Sequence, residues 1–349
     1  MKDDQSANRG VDLAILADWM DTQGLSEGPI TDPTPLEGGT QNILLRFSRG
    51  GRQFVLRRPP PVLRANSNET MRREARVLSA LKHSSVPHPR LIASCDDESV
   101  LGATFYLMEA INGYNPTQGL PKPFSESAES RFQMGLSLVD GIAALGRVDY
   151  QAVGLADLGK PENYLERQVG RWRSQLEGYA DIAEWDGLDS LPDVTQIVDW
   201  LERYRPASFQ PGIIHGDYHL ANVMYCFDAP QLAAIIDWEL TTIGDPLVDL
   251  GWLMATWPDV DRTDNAGALL VEPWTGFPTT EQLVAHYAQQ SDRDLSSIQW
   301  YAVLACYKLG IILEGTYARA CAGKAPKDIG DDLHRRTLWL LNRALSWVE

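Results

Sequence analysis

Residues 223 to 237 read VMYCFDAPQLAAIID, two short apolar runs on either side of the turn-forming segment DAPQ. That is the pattern of a tight antiparallel hairpin. Immediately before it stands IHGDYHLAN, residues 214 to 222, with two histidines, an aspartate and an asparagine. A second carboxylate, Asp237, arrives at the end of the hairpin's second strand, 20 residues after Asp217. Several chemistries need such a cluster. On an extended chain, side chains repeat every two residues, so His215, Asp217 and His219 would share a face as three candidate zinc ligands of a metal-dependent hydrolase. A polar turn carrying satisfied histidines accounts for the same residues.

A third reading counts the gap of five from Asp217 to Asn222. It matches the catalytic-loop spacing H-R-D-x-x-x-x-N of the protein kinases, and Asp237 then stands where D-F-G stands. Phosphoryl transfer needs a carboxylate that orients or receives the attacking hydroxyl, and an amide oxygen and a second carboxylate that hold magnesium. Asp217, Asn222 and Asp237 supply these groups in that order. Upstream, NILLRF and RQFVLRR flank SRGG, which predicts a β-hairpin at about 42 to 58. Strand parity places Val55 and Arg57 on one face and Phe54, Leu56 and Arg58 on the other. FVLR aligned with V-A-I-K puts Arg57 where the phosphate-binding lysine stands. Glu74 follows 17 residues later, beside the helical stripe Met71, Ala75, Leu78 and Leu81, in position to pair with that cation. Before the hairpin, GGTQN with Gly38, Gly39 and Thr40 can bring backbone N–H groups to phosphate oxygens, although a Gly-Gly turn also serves simply as a turn.

The remaining pattern is a short helix at 11 to 20, a buried strand over TFYLMEAI (104 to 111), and helices at 127 to 146, about 162 to 180, 193 to 204, 280 to 290 and 297 to 322. A lobe boundary after Ile111 divides the chain into a nucleotide-binding lobe with its hinge, 1–111, and a helical lobe with the catalytic loop and acceptor region, 112–349. The 44% hydrophobic content supports a substantial core in 349 residues. No run of about 18 apolar residues and no secretory start occur, so a cytoplasmic protein without membrane contact is expected. Cys95, Cys226, Cys306 and Cys321 are scattered, which argues against a disulfide framework or a cysteine metal site. A net charge of −16 repels polyanions and argues against nucleic acid as a partner.

Taken together, GGTQN, FVLRRPP, REARVLSAL, FYLMEAINGY, HGDYHLAN, IIDWELTTIGDPLVDLGW and YKLGIILEGTYARACAG resemble the aminoglycoside phosphotransferase family over most of the chain. These are small-molecule relatives of the protein kinases, and the likeness is to the branch that is fused, in some proteins, to an acyl-CoA dehydrogenase. The resemblance implies an α+β, protein-kinase-like bilobal fold, with a small N-lobe of antiparallel sheet and helix and a larger, mainly helical C-lobe. It implies ATP or GTP as donor, Mg2+ as cofactor, and a small-molecule hydroxyl as acceptor. Asp217 would be the catalytic base, with Asn222 and Asp237 the magnesium ligands and Glu74 the partner of the phosphate-binding cation. Glu109 to Ile111 would bond the purine edge through the backbone. Asp249, in DPLVDLGW, would brace the catalytic loop by accepting N–H bonds, and His215 and His219 would shape it. Glu239 would touch a second metal through water, while Trp238 packs. Arginine replaces the family's lysine at 57, but a fixed charge on phosphate is what the position requires. The acceptor stays open. Net acidity suits a cationic aminoglycoside, whereas Arg167, Arg171 and Arg173 on one helix suit an anionic acceptor such as a hydroxyacyl-CoA, or are a solvated face. A nucleotide-binding module without transferase activity is the remaining alternative.

Overall fold

The computed structural model describes residues 10–36, 42–63, 65–259 and 267–348. Its first part is a five-stranded antiparallel sheet of β1 (Thr31–Pro35), β2 (Ile43–Arg49), β3 (Arg52–Arg58), β4 (Leu91–Cys95) and β5 (Phe105–Glu109), in the order β1-β2-β3-β5-β4. Alternation along β2 sends Ile43, Leu45 and Phe47 to one face, where Leu45 pairs with Leu56 and Phe47 with Phe54. Helix α1 (Leu13–Thr22) closes that face with Leu16, Trp19 and Met20. Its start is capped by Asp12, which accepts the N–H groups of Ala14 and Ile15. The buried guanidinium of Arg49 ties α1 to the sheet, donating to the carbonyls of Ala17 at 2.9 Å and Gly28 at 2.8 Å.

The opposite parity, Val55 and Arg57, faces helix α2 (Ser67–Leu81). Met71, Ala75, Leu78 and Leu81 of α2 do not join the small core around α1. With Tyr106 they belong to the large core of the helical part. Helix α2 is also anchored there by charge: Arg73 donates to the carbonyls of Leu158 and Thr241 at 3.1 and 3.2 Å, and Arg76 pairs with Asp157.

The larger part comprises α3 (Ala128–Gly146), α4 (Glu166–Glu177), α5 (Val194–Arg203), α6 (Leu247–Thr256), α7 (Thr280–Gln290), α8 (Ile298–Cys321) and α9 (Lys327–Val348). Two short antiparallel ladders lie among these helices, β6 (Gly212–Ile214) with β9 (Thr242–Gly244) and β7 (Val223–Tyr225) with β8 (Leu232–Ile235). The second is the hairpin that VMYCF and LAAIID predict. Helices α6 and α9 and strands β1, β4, β6 and β9 are additions to the sequence-based picture. Strands β6 and β9 have three residues each, too few for a period to register. Helix α6 is buried on every side from Leu247 to Leu253, so it has no polar face to reveal its pitch. No helix among the described residues is long and apolar enough to cross a membrane.

Helix α6 crosses α8 at Gly251, where a Cβ would lie 2.5 Å from the carbonyl carbon and oxygen of Tyr301. Those are backbone atoms and cannot rotate away. Gly251→Ala is expected to destabilise the protein by about 1–3 kcal/mol, read as a lower urea midpoint. Gly170→Ala, on α4 with nothing within 4 Å of the added carbon, is expected to raise the midpoint slightly, by up to about 1 kcal/mol.

Candidate active site

The chain leaves β6 at Ile214 and enters HGDYHLAN as an irregular loop whose backbone is pinned by one side chain. The carboxylate of Asp249, on α6, accepts the N–H of His215 at 2.7 Å and that of Gly216 at 2.9 Å. Burial pushes its pKa up to about 7 against the pull of those two bonds. Between them the loop turns at Gly216, with φ +91° and room for no side chain: a Cβ would meet the carbonyl oxygen of Leu240 at 2.7 Å. His215 is fully buried. Its Nε2 lies 2.9 Å from the Ile236 carbonyl, so Nε2 carries the hydrogen, and its Nδ1 lies 3.3 Å from the Asp217 N–H. Burial lowers its pKa and keeps the ring neutral. With both ring nitrogens spent on backbone groups, His215 cannot join Asp217 and His219 around a metal. Among the described residues, no three His, Cys, Asp or Glu side chains are grouped to hold a metal ion. The hydrolase reading of the opening motif is thereby overturned.

Asp217, the carboxylate of the loop, is surrounded by protein donors. Oδ2 accepts Nδ2 of Asn222 at 2.8 Å, and Oδ1 accepts the Trp252 indole N–H at 3.0 Å. His219 Nε2 lies 3.1 Å from the same Oδ1. Burial pushes the carboxyl up, but the hydrogen bond from His219, the neighbouring histidines and the Asn222 amide outweigh it and hold the pKa at about 2. Asn222 Nδ2 also donates to the Asp217 carbonyl at 2.9 Å, so Oδ1 is the atom Asn222 has left to offer. Ile236 N–H donates to the Asn222 carbonyl at 2.9 Å, which holds the start of β7 against the end of β8 and keeps Asp237 nearby. Asp237 itself sits at φ 65°, a left-handed conformation uncommon for a non-glycine residue.

Arg57 connects the two parts of the molecule. From β3 its guanidinium reaches Glu74 of α2 at 2.8 Å, Asp237 at 2.8 Å and Glu239 at 3.6 Å. Tyr106, paired with Arg57 across β3 and β5, donates at 2.8 Å to Glu74 Oε2, the same oxygen that Arg57 Nε reaches. Burial pushes Glu74 up to about 7, although Arg57 and Tyr106 pull it down. Burial likewise opposes the charge on Arg57, but its carboxylate neighbours hold it firmly protonated. Asn42, just before β2, reaches Glu239 at 3.4 Å. Arg58 turns away and bonds the Pro59 carbonyl.

Other candidates are more dispersed. Glu109 ends β5 with its N–H committed to the Arg90 carbonyl at 2.9 Å, and Ile111 follows as the chain crosses into the helical part. Gly38, Gly39 and Thr40 lie outside the described residues. The three arginines of α4 separate in role. Arg167 donates to the carbonyls of Glu162 and Lys160, and Arg173 pairs with Glu177, whereas Arg171 lies 5.2 Å from the Trp172 ring. Trp252, Tyr106 and Lys308 escaped the sequence reading. Only Trp252 had a signal there, since DLGW puts it one helical turn after Asp249. A groove of about 850 Å3 on the far side of α2, lined by Arg72, Arg76, His83 and Arg147, includes none of the cluster.

A sequence profile of the phosphotransferase enzyme family matches residues 32–281. The chain belongs to that family. It is a small-molecule kinase built on the protein-kinase-like α+β fold. Acyl-CoA dehydrogenase family member 11 of Rattus norvegicus is 30% identical over 295 residues, covering 83% of this chain and 37% of the relative. This phosphotransferase thus spans little more than a third of the length of such curated relatives. A Ralstonia eutropha protein assigned to the aminoglycoside phosphotransferases superposes with a TM-score of 0.81 at 28% identity, covering 97% of this chain and 98% of that one. Aminoglycoside phosphotransferase APH(4)-Ia, solved as a thermostable mutant with AMP-PNP and hygromycin B, shares the fold with a TM-score of 0.60 at 16% identity, covering 95% and 97%.

The Arg57–Glu74 pair lends itself to a double-mutant cycle. Denaturation of Arg57→Ala, Glu74→Ala and the double variant is expected to give a coupling energy of about 1–3 kcal/mol, the double variant losing less than the sum of the singles. Additive losses would mean that the pair does not act as a unit.

Proposed function

We propose that this kinase moves the γ-phosphoryl group of ATP or GTP onto a hydroxyl of its acceptor, using Asp217 as the catalytic carboxylate. The observation that carries the reading is the convergence of Asp217, Asn222 and Asp237 with the Arg57–Glu74 pair, from four separate segments of the chain, on one place. The adenine-nucleotide analogue bound by APH(4)-Ia supports an ATP-type donor.

Asp237 and Asn222 suit a magnesium ion. Both present hard oxygen donors, the Asp237 side chain is 34% exposed, and the Asn222 amide nitrogen is already committed elsewhere. Bound there, the ion would neutralise charge building on the phosphate oxygens. The protein groups divide the remaining work. Arg57 exchanges part of its contact with Asp237 and Glu239 for phosphate oxygens, and Glu74 keeps its guanidinium aimed. Asp217 accepts the acceptor hydroxyl and aligns it with the phosphorus. A carboxylate held at about 2 is a weak base, which suits a loose transition state in which the nucleophile needs aim more than early deprotonation. Trp252, His219 and Asn222 spend their donors on fixing that aim. The acceptor classes open from the sequence are cationic aminoglycosides and anionic hydroxyacyl compounds.

Calorimetry with ATP and GTP, with and without magnesium, tests the donor; no binding of either at millimolar concentration would overturn the reading. Asp217→Asn is expected to lower transfer by at least about a hundredfold with nucleotide affinity nearly unchanged, while Asp237→Ala weakens magnesium-dependent nucleotide binding itself. If wild type binds nucleotide but transfers to nothing, and Asp217→Asn changes nothing, the chain is a nucleotide-binding module.

A further inference from the structure

Helix α8 brings one more charge to Asp217. Lys308 projects its ammonium between two indole rings, 4.5 Å from the centroid of Trp252 on α6 and 5.5 Å from that of Trp172 on α4. Trp252 is the residue whose N–H bonds Asp217 Oδ1, so the ammonium lies one ring away from the carboxylate. Three fully buried guanidinium groups, by contrast, are tied to oxygen atoms: Arg49 to two carbonyls, Arg57 to carboxylates, and Arg131 to the carbonyls of Phe124, Ser125 and Thr275. Among the described residues Lys308 has ring contacts but neither a hydrogen bond nor an ion pair, and the same holds for Arg171, whose guanidinium attends the same Trp172 ring.

A partly desolvated ammonium with three unspent donors costs free energy in the empty protein, a cost that an anionic group removes. Burial lowers Lys308 to about 8 against the pull of Asp217 and Asp249. Direction matters as well. Asp217 Oδ2 is turned to Asn222, the candidate metal ligand, while Oδ1 is turned to Trp252 and hence to Lys308. The phosphate-binding cation Arg57 approaches from the sheet, whereas Lys308, Trp172 and Arg171 all come from helices of the larger part.

We propose that Lys308, held between Trp172 and Trp252 and assisted by Arg171, binds the acceptor through an anionic group carried near its hydroxyl, and so selects anionic over cationic acceptors. This rests on the phosphotransferase reading above. A polycationic aminoglycoside would meet two like charges here, and like-charge contact discriminates strongly against a wrong ligand.

The test uses linear hydroxycarboxylates with the hydroxyl two to four carbons from the carboxylate, matched against amino alcohols of the same lengths. Transfer from ATP is followed by phosphorus NMR, and nucleotide binding by calorimetry. Wild type is expected to phosphorylate members of the carboxylate series in preference to every amino alcohol. Lys308→Met should raise the KM for the carboxylates by about tenfold or more while changing kcat much less, and Lys308→Arg should recover most of that loss. Nucleotide affinity should be the same in all three proteins, which also shows that the variants fold. Preference for amino alcohols, failure to accept any carboxylate while nucleotide still binds, or an unchanged KM in Lys308→Met would each overturn the proposal. Loss of nucleotide binding in wild type would instead strike at the phosphotransferase reading.

Discussion

Two backbone N–H groups, those of His215 and Gly216, point into the protein at the start of the HGDYHLAN loop, and the buried carboxylate of Asp249 receives both. Buried N–H groups must be paired, so this contact fixes where the loop can run. It also fixes α6 beside the loop. One turn along that helix Trp252 bonds Asp217, and between them Gly251 lets α6 press against α8, the helix that carries Lys308. The order from Asp249 through Gly251 to Trp252 is thus a short rigid bracket between Asp217 and the helix that carries Lys308.

On the other side, Arg57 performs a comparable task with charge. It is buried and surrounded by Glu74, Asp237 and Glu239, so the sheet, α2 and the segment after β8 meet on one guanidinium. A buried charge requires such partners, and each partner is in turn held: Glu74 by Tyr106, and Glu239 by Asn42. Helix α2 adds two arginine anchors to the helical part, through Arg73 and Arg76. The sheet and the helical part are therefore coupled through Arg57 and its carboxylate partners, and through the arginines of α2.

The two acidic groups at the centre differ for physical reasons. Asp217 is surrounded by donors, and its pKa falls to about 2 despite burial. Glu74 is more deeply buried and shares its cation with Asp237 and Glu239, so burial dominates and its pKa rises to about 7. Environment, rather than residue type, separates a carboxylate held ionised by its donors from one that burial pushes towards its neutral form.

Much of this was legible in the sequence because it is local. The spacing from Asp217 to Asn222, the hairpin that returns Asp237, and the parity of Val55 and Arg57 follow from the periods of turns and strands. Those periods anticipated β2, β3, β7, β8 and α2 and the facing of Arg57 and Glu74. Short or fully buried elements left no such period: β6 and β9 have three residues each, and α6 has no polar side to mark its pitch. The contacts that tune the site were hidden for another reason. Trp252 and Lys308 lie 35 and 91 positions beyond Asp217 in the chain, and Tyr106 lies 32 beyond Glu74. Sequence alone determined which reactive groups the chain owns and which of them share a strand or a turn. Only tertiary packing decided that His215 would spend both nitrogens on backbone, that Arg167 and Arg173 would be occupied while Arg171 was not, and that an unpaired ammonium would come to rest one indole away from Asp217. Those outcomes depend on helix crossings, which no local period encodes.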